Sequence, residues 1–160
     1  MPAVSNTSPI FNLACLDLLR DQFGEVWIPL AVETELLRIP DTTVRNKINH
    51  AREEGWLIVR PTTEGGLVRL LAVDLHQGEA EAIALALQIK VARLLIDEKE
   101  GRAMARQLGL RVTGVLGVLL RGKKMGQIGV VKPDLDALQD KAGFFIARDL
   151  EAAILASAGE

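Results

Sequence analysis

The chain has 160 residues, of which 49% are hydrophobic and 25% charged, with a formal charge of −2. That is long enough for one domain with a real core and short for two, and the charge is wrong for a protein that coats nucleic acid through net positive potential. One cysteine (Cys15) and two histidines (His50 and His76) exclude an intrachain disulfide and a His/Cys metal cage.

The N-terminal stretch MPAVSNTSPI lacks the basic and long apolar regions of a secretory signal, and no apolar run in the chain reaches membrane-spanning length. The expectation is a single cytoplasmic domain over residues 1–160 with no membrane partner. Ala3 and Val4 predict a short strand. Ser8 as N-cap and Pro9 at the first helical position predict a helix carrying Ile10, Phe11, Leu13, Ala14 and Leu16. Asn6 and Thr7 then lie at the strand's carboxyl end. A second short helix runs roughly over 16–22 and stops near Gly24. Val26–Ile28 predicts a second strand, closed by Pro29, and a helix over 30–38 ends before Pro40.

On that helix Val32, Leu36 and Ile39 form one stripe, and Glu35 lies only about 40° from Ile39. A carboxylate beside a buried stripe either reaches solvent or needs a base, a hydrogen bond or a metal. A polar helix over 43–54 ends at Gly55, and 56–59 suits a strand. Gly65–Gly66 signals a turn, with a helix over 67–73 after it. The helix predicted over 79–89 is apolar nearly all round and therefore buried, with Glu79 and Glu81 in its first turn. A strand over 93–96 follows, ending on Asp97 and Glu98. Next come a helix over 99–108 with Ala103, Met104 and Leu108 inward, a strand over 111–113 and a helix over 115–124. An extended segment over 130–133 and helices over 134–140 and 148–156 complete the chain. Short apolar strands alternating with helices predict an α/β fold with a parallel sheet of four or five strands, the fifth near Val59 or Val131.

In open α/β sheets ligands bind outside the carboxyl ends of the strands. Asn6, Asp97 and Glu98 project there, and Glu35 and Glu81 arrive from nearby helices. Carboxylates brought together repel, and a hard divalent cation relieves this while suiting phosphodiester hydrolysis. The spacing alone is not specific, since acids at helix and strand ends occur in most α/β domains. Lys99, Arg102, Arg121, Lys123 and Lys124 could form a local basic rim, although such charges are more often a solvated face.

The segments Val4-Ser-Asn-Thr-Ser-Pro-Ile, Ile28-Pro-Leu-Ala-Val-Glu-Thr-Glu-Leu, Gly78-Glu-Ala-Glu-Ala-Ile-Ala-Leu-Ala and Leu94-Leu-Ile-Asp-Glu, with the later run 105–117, resemble the PIN-domain family, and in particular a VapC-like prokaryotic subgroup. The resemblance covers nearly the whole chain in the family's order. It implies a three-layer α/β/α sandwich and a Mg²⁺- or Mn²⁺-dependent ribonuclease, the toxin of a toxin–antitoxin pair, with RNA as substrate, an antitoxin as partner and a homodimer as assembly. Carried over residue by residue, it implies catalytic Glu35, Glu81 and Asp97. The metal ligands are then Asn6, Glu35, Glu81, Asp97 and Glu98, with Glu81 preferred to Glu79, and Thr7 and Ser8 support them. The family normally has Asp where Asn6 stands. Asn keeps an oxygen ligand but loses the charge, so the alternative is a PIN-like binding module for RNA or protein without hydrolysis.

Overall fold

The computed structural model describes residues 2–12, 17–91, 93–141 and 143–160. In chain order the elements are β1 (Ala3–Ser5), α1 (Thr7–Asn12), α2 (Asp17–Phe23), β2 (Val26–Ile28), α3 (Leu30–Leu37), α4 (Thr42–Glu53), β3 (Leu57–Val59) and α5 (Gly65–Leu71). They continue as α6 (Gln77–Ile89), β4 (Arg93–Leu95), α7 (Lys99–Gln107), β5 (Val112–Thr113), α8 (Val115–Lys124), α9 (Lys132–Lys141) and α10 (Arg148–Ser157). The expected contributions of Leu13, Ala14 and Leu16 to the first two helices fall outside the described residues.

The five strands form one sheet in the order β3-β2-β1-β4-β5, and every pairing is parallel. The fifth strand is the one near Val59, not Val131. Neighbouring strand residues point to opposite faces. Ala3 and Leu95 belong to the core on one face, together with Ile10, Leu19, Val32, Leu36, Ile48 and Leu135. Val4, Leu94 and Ile96 belong to the other, with Ile83, Leu85 and the alanines of α6. Helices on both faces of a parallel sheet make the α/β/α sandwich expected from the alternation of elements. Six successive apolar positions of α6 other than Glu81 are buried (Ala80, Ala82, Ile83, Ala84, Leu85 and Ala86), as a helix apolar all round requires.

The chain leaves β1 toward β2 on one side and reaches β4 on the other. The carboxyl ends of β1 and β4 therefore flank the point where the winding reverses. Crossovers diverge there and leave a crevice. Asn6 follows β1 and Asp97 and Glu98 follow β4, so both loops open into it.

Several local expectations are corrected. α1 begins at Thr7, and Ser8 lies within it; its hydroxyl leaves the helix for Asp97 instead of capping. Gly65 and Gly66 are the first residues of α5 rather than a turn. On α7 the buried positions are Gly101 and Ala105, while Ala103 and Leu108 are exposed. The expected extended segment at 130–133 instead leads into α9, whose first residues are Lys132 and Pro133. The backbone N–H groups of Val131 and Lys132 donate to the Glu160 carboxylate, a cap supplied from the far end of the sequence.

Candidate functional site

A cleft of ≈ 520 Å³ opens at the crevice, lined by Asn6, Thr7, Ser8, Phe11, Glu35, His76, Gln77, Glu79 and Glu98. Four parts of the chain build it. The β1–α1 junction delivers Asn6, Thr7 and Ser8; α3 delivers Glu35; the start of α6 delivers His76 to Glu79; and the end of β4 delivers Glu98.

Asn6 is nearly fully buried, and its Nδ2 donates to Glu98 Oε2 at 3.1 Å. An aspartate here would face Glu98 with like charge, whereas the amide gives it a donor. Thr7 Oγ1 donates to Glu35 Oε2 and so fixes that carboxylate at the rim. Gly78 makes room for both: a Cβ there would stand 2.7 Å from Glu35 Oε1 and 3.2 Å from Asn6 Oδ1. The oxygens of Asn6 and Glu35 thus converge on one small patch of α6 backbone.

Glu79 is the buried acid of this group, only 4% exposed. Its Oε2 lies against α7, where a Cβ on Gly101 would come within 2.9 Å of it. Among the described residues no hydrogen-bond donor serves its side chain and no basic side chain pairs with it. Burial pushes the carboxyl up from its ordinary range, Glu98 adds to the rise, His76 opposes it, and Glu100 and Glu35 add a little more.

Glu81 is turned elsewhere. It sits in the second turn of α6, because the helix starts at Gln77, two residues earlier than its pattern suggests. Two residues along a helix are about 200° apart, so Glu79 and Glu81 cannot face one site. Glu81 accepts from the backbone N–H of Ala31 at 3.2 Å and from Gln77 Nε2 at 2.8 Å. It caps the first turn of α3, whose own N-cap residue, Pro29, has no side-chain donor or acceptor to offer.

Asp97 lies beside the cleft, not in its wall. Its Oδ1 accepts from the Val115 N–H at 2.8 Å and its Oδ2 from Ser8 Oγ at 3.2 Å. Burial pushes its carboxyl up; the Val115 N–H pulls it down, Glu98 raises it, and Ser8 and Arg102 lower it. Arg102 donates to the Ile96 carbonyl at 3.1 Å. A Cβ on Gly114 would meet both Asp97 Oδ1 and Arg102 Nη1 at 2.6 Å, which explains glycine at the start of α8.

The structure thus brings Asn6, Thr7, Ser8, Glu35 and Glu98 to one cleft, holds Asp97 just behind it through Ser8, and separates Glu81 from it. Glu79, weighed in the sequence and set aside, takes the wall position, and His76 and Phe11 were not singled out. Both α6 acids are followed three and four residues later by buried apolar side chains, so no helical wheel could separate them. Of the basic residues, Arg102 is engaged with Ile96 and Lys123 with Glu160.

Comparison with known protein families matches residues 2–160 to one described as a PIN domain. The chain belongs to the PIN-domain family. Its fold is accordingly of nuclease type, and PIN domains generally use divalent metals and act on nucleic acid. Comparison with curated proteins finds no match. Among the described residues no helix is long and apolar enough to cross a membrane.

The donors of this PIN domain fit a hard cation in type: three carboxylates and an amide oxygen, with no sulfur. Among the described residues no three acidic or histidine side chains are drawn tightly enough together to cage a bare ion. Mg²⁺ and Mn²⁺ keep several waters and need only one or two direct carboxylates, so a loose ring of oxygens suits a hydrated ion.

Proposed function

We propose that this PIN domain is a metal-dependent endoribonuclease whose cation is held by Asn6, Glu35, Glu79 and Glu98. The observation that carries the reading is Glu79. A buried carboxylate beside two others, without a hydrogen bond or a salt bridge among the described residues, is costly unless something positive joins it. When bound, Mg²⁺ or Mn²⁺ would polarise a phosphoryl oxygen and acidify a coordinated water.

The chain's own residues supply orientation. Thr7 holds Glu35, and Asn6 holds Glu98 while adding no charge. Asp97 acts as a positioning residue, tying Ser8 at the cleft to the first residue of α8. Phe11, 37% exposed in the cleft wall, offers a flat apolar face on which an unpaired base can stack, which favours a single strand. The RNA substrate, the toxin role with an antitoxin partner, the homodimer and the cytoplasmic setting belong to the same reading through the VapC-like resemblance.

The test is cleavage of single-stranded RNA by the purified chain with Mn²⁺, run beside calorimetric Mn²⁺ titration. Wild type should cleave and bind, and Glu79→Gln should do neither. Equal cleavage by the two proteins, or cleavage that persists in EDTA, would refute the proposal. The second reading, a PIN-like module that binds without hydrolysis, is favoured by Asn6. It gains if Asn6→Asp cleaves where wild type does not.

A further inference from the structure

A second cleft, ≈ 260 Å³, lies between α3 and α4. Glu33, Leu36 and Leu37 face it, and Glu33 and Leu37, each two residues from Glu35, sit on the opposite side of α3 from that acid. The same short helix therefore walls both clefts, and its width, roughly 10 Å, separates them.

Ile28, Leu36 and Ile48 give the cleft an apolar floor. Its rim carries donors from α4. Arg45, Asn49 and Arg52 follow at i, i+4 and i+7, and so share one edge of that helix. Arg52 is taken, held at 2.8 Å by Glu33. Arg45 is not satisfied in the same way: its Nε is buried and has no hydrogen-bond partner among the described residues. Buried donors nearly always have a partner. With the Nε closed off, an acceptor entering the cleft meets the terminal nitrogens of the same guanidinium, which have no partner among the described residues either. Two guanidinium groups against one carboxylate leave the cleft one positive charge in excess. Its chemistry therefore suits a ligand with one anionic oxygen group and a flat apolar part whose edge bears hydrogen-bonding groups. A nucleotide in a phosphodiester chain has that description. A cleft walled by two helices admits one base only when that base is unpaired.

We propose that the α3–α4 cleft is a nucleotide subsite for single-stranded nucleic acid. The phosphate sits on Arg45, the base lies over Ile28, Leu36 and Ile48, and Asn49 reads the base edge. The inference rests on the nuclease reading for its choice of ligand, and it adds a place where sequence preference arises. Asparagine presents a donor and an acceptor together and so discriminates between base edges, while arginine on phosphate does not.

The test uses the full chain in EDTA, so that binding is measured apart from cation and cleavage. Fluorescence anisotropy reads the affinity for short labelled oligoadenylate and oligouridylate at several salt concentrations. Arg45→Gln should weaken both by about tenfold and reduce the salt slope by about one, whereas Asn49→Ala should change the ratio between the two oligonucleotides. Arg45→Lys, which keeps the charge and loses the planar fork, should fall between wild type and Arg45→Gln, and it serves if the Gln variant fails to fold. Folded Arg45 variants with wild-type affinity and slope, together with an unchanged base ratio in Asn49→Ala, would overturn the inference. So would binding of polyglutamate that depends on Arg45 when oligonucleotide binding does not. Arg45-dependent binding with no cleavage in Mn²⁺ would remove the nuclease reading and leave the subsite standing. Cleavage with Arg45-independent binding would do the reverse.

Discussion

Two pairs of close acids flank the cleft, Glu79 with Glu81 and Asp97 with Glu98, and they are resolved alike. At the start of α6, Glu79 turns into the cleft and Glu81 turns to the N-terminus of α3. After β4, Glu98 turns into the cleft and Asp97 turns to the N-terminus of α8. In each pair one carboxylate accepts backbone N–H groups that the helix cannot satisfy for itself, because Pro29 and Gly114 make no side-chain cap. The other lines a concave, partly buried surface with like charges nearby. The pairs differ in how the cleft member is treated. Glu98 receives a hydrogen bond from Asn6, while Glu79 receives none among the described residues. The clustered acids are thus treated in two ways: Glu81 and Asp97 are satisfied by backbone N–H groups, and of the two cleft members only Glu79 is without a hydrogen bond among the described residues.

The contrast breaks first where effects are largest. Glu79→Gln should lower Mn²⁺-dependent cleavage by about a hundredfold or more, as loss of a direct cation ligand does, while the cation-free protein becomes more stable because a buried charge is gone. Glu81→Ala should leave cleavage within a few-fold and instead cost about 1 kcal/mol of stability, the usual scale for a lost helix cap. Activity and denaturant titration on the two variants read both quantities, and a reversed pattern would exchange the roles assigned to these acids. Gly78→Ala comes next. Its Cβ would push on Glu35 and Asn6, so Mn²⁺ affinity should fall by roughly tenfold while the melting temperature holds or rises, since alanine suits a helix better than glycine by about 1 kcal/mol. Calorimetry that finds unchanged affinity would mean that those two oxygens do not hold the ion.

The smallest effect concerns pH. Glu79 and Asp97 both have folded-state pKa values raised by burial. Between the ordinary carboxylate range and the raised values the native state holds more protons than the unfolded chain, so stability falls as pH rises through that window. Cation-free protein should therefore melt higher at the acid end of the window than at neutral pH, and Glu79→Gln should flatten the dependence. Added Mn²⁺ should stabilise wild type most at neutral pH, where the carboxylates are ionised. Melting curves across pH with and without Mn²⁺ test this, and a profile identical in wild type and Glu79→Gln would show that Glu79 titrates normally.

The elements were readable because their signals are local. Short apolar runs marked the strands (Ala3–Val4, Val26–Ile28 closed by Pro29, and Leu94–Ile96), and the alanine-rich run of α6 marked a buried helix. The acids of the cleft were readable as candidates because they fall at strand ends, where a parallel sheet opens its crevice. Local reading failed where the satisfying partner is distant in sequence. Ser8 looks like an N-cap until Asp97 is beside it. The segment at 130–133 looks extended until Glu160 accepts its N–H groups.

By itself the sequence determined the α/β class, the strands, and a short set of oxygen-bearing side chains, since periodicity and chain direction depend on neighbours only a few residues apart. The tertiary structure alone decided which acid of each pair faces the cleft. That choice depends on where α3 and α8 place their unsatisfied N–H groups, 50 residues from Glu81 in one case and 18 from Asp97 in the other. A carboxylate turns to the strongest donors within reach, and reach is a property of the packed fold.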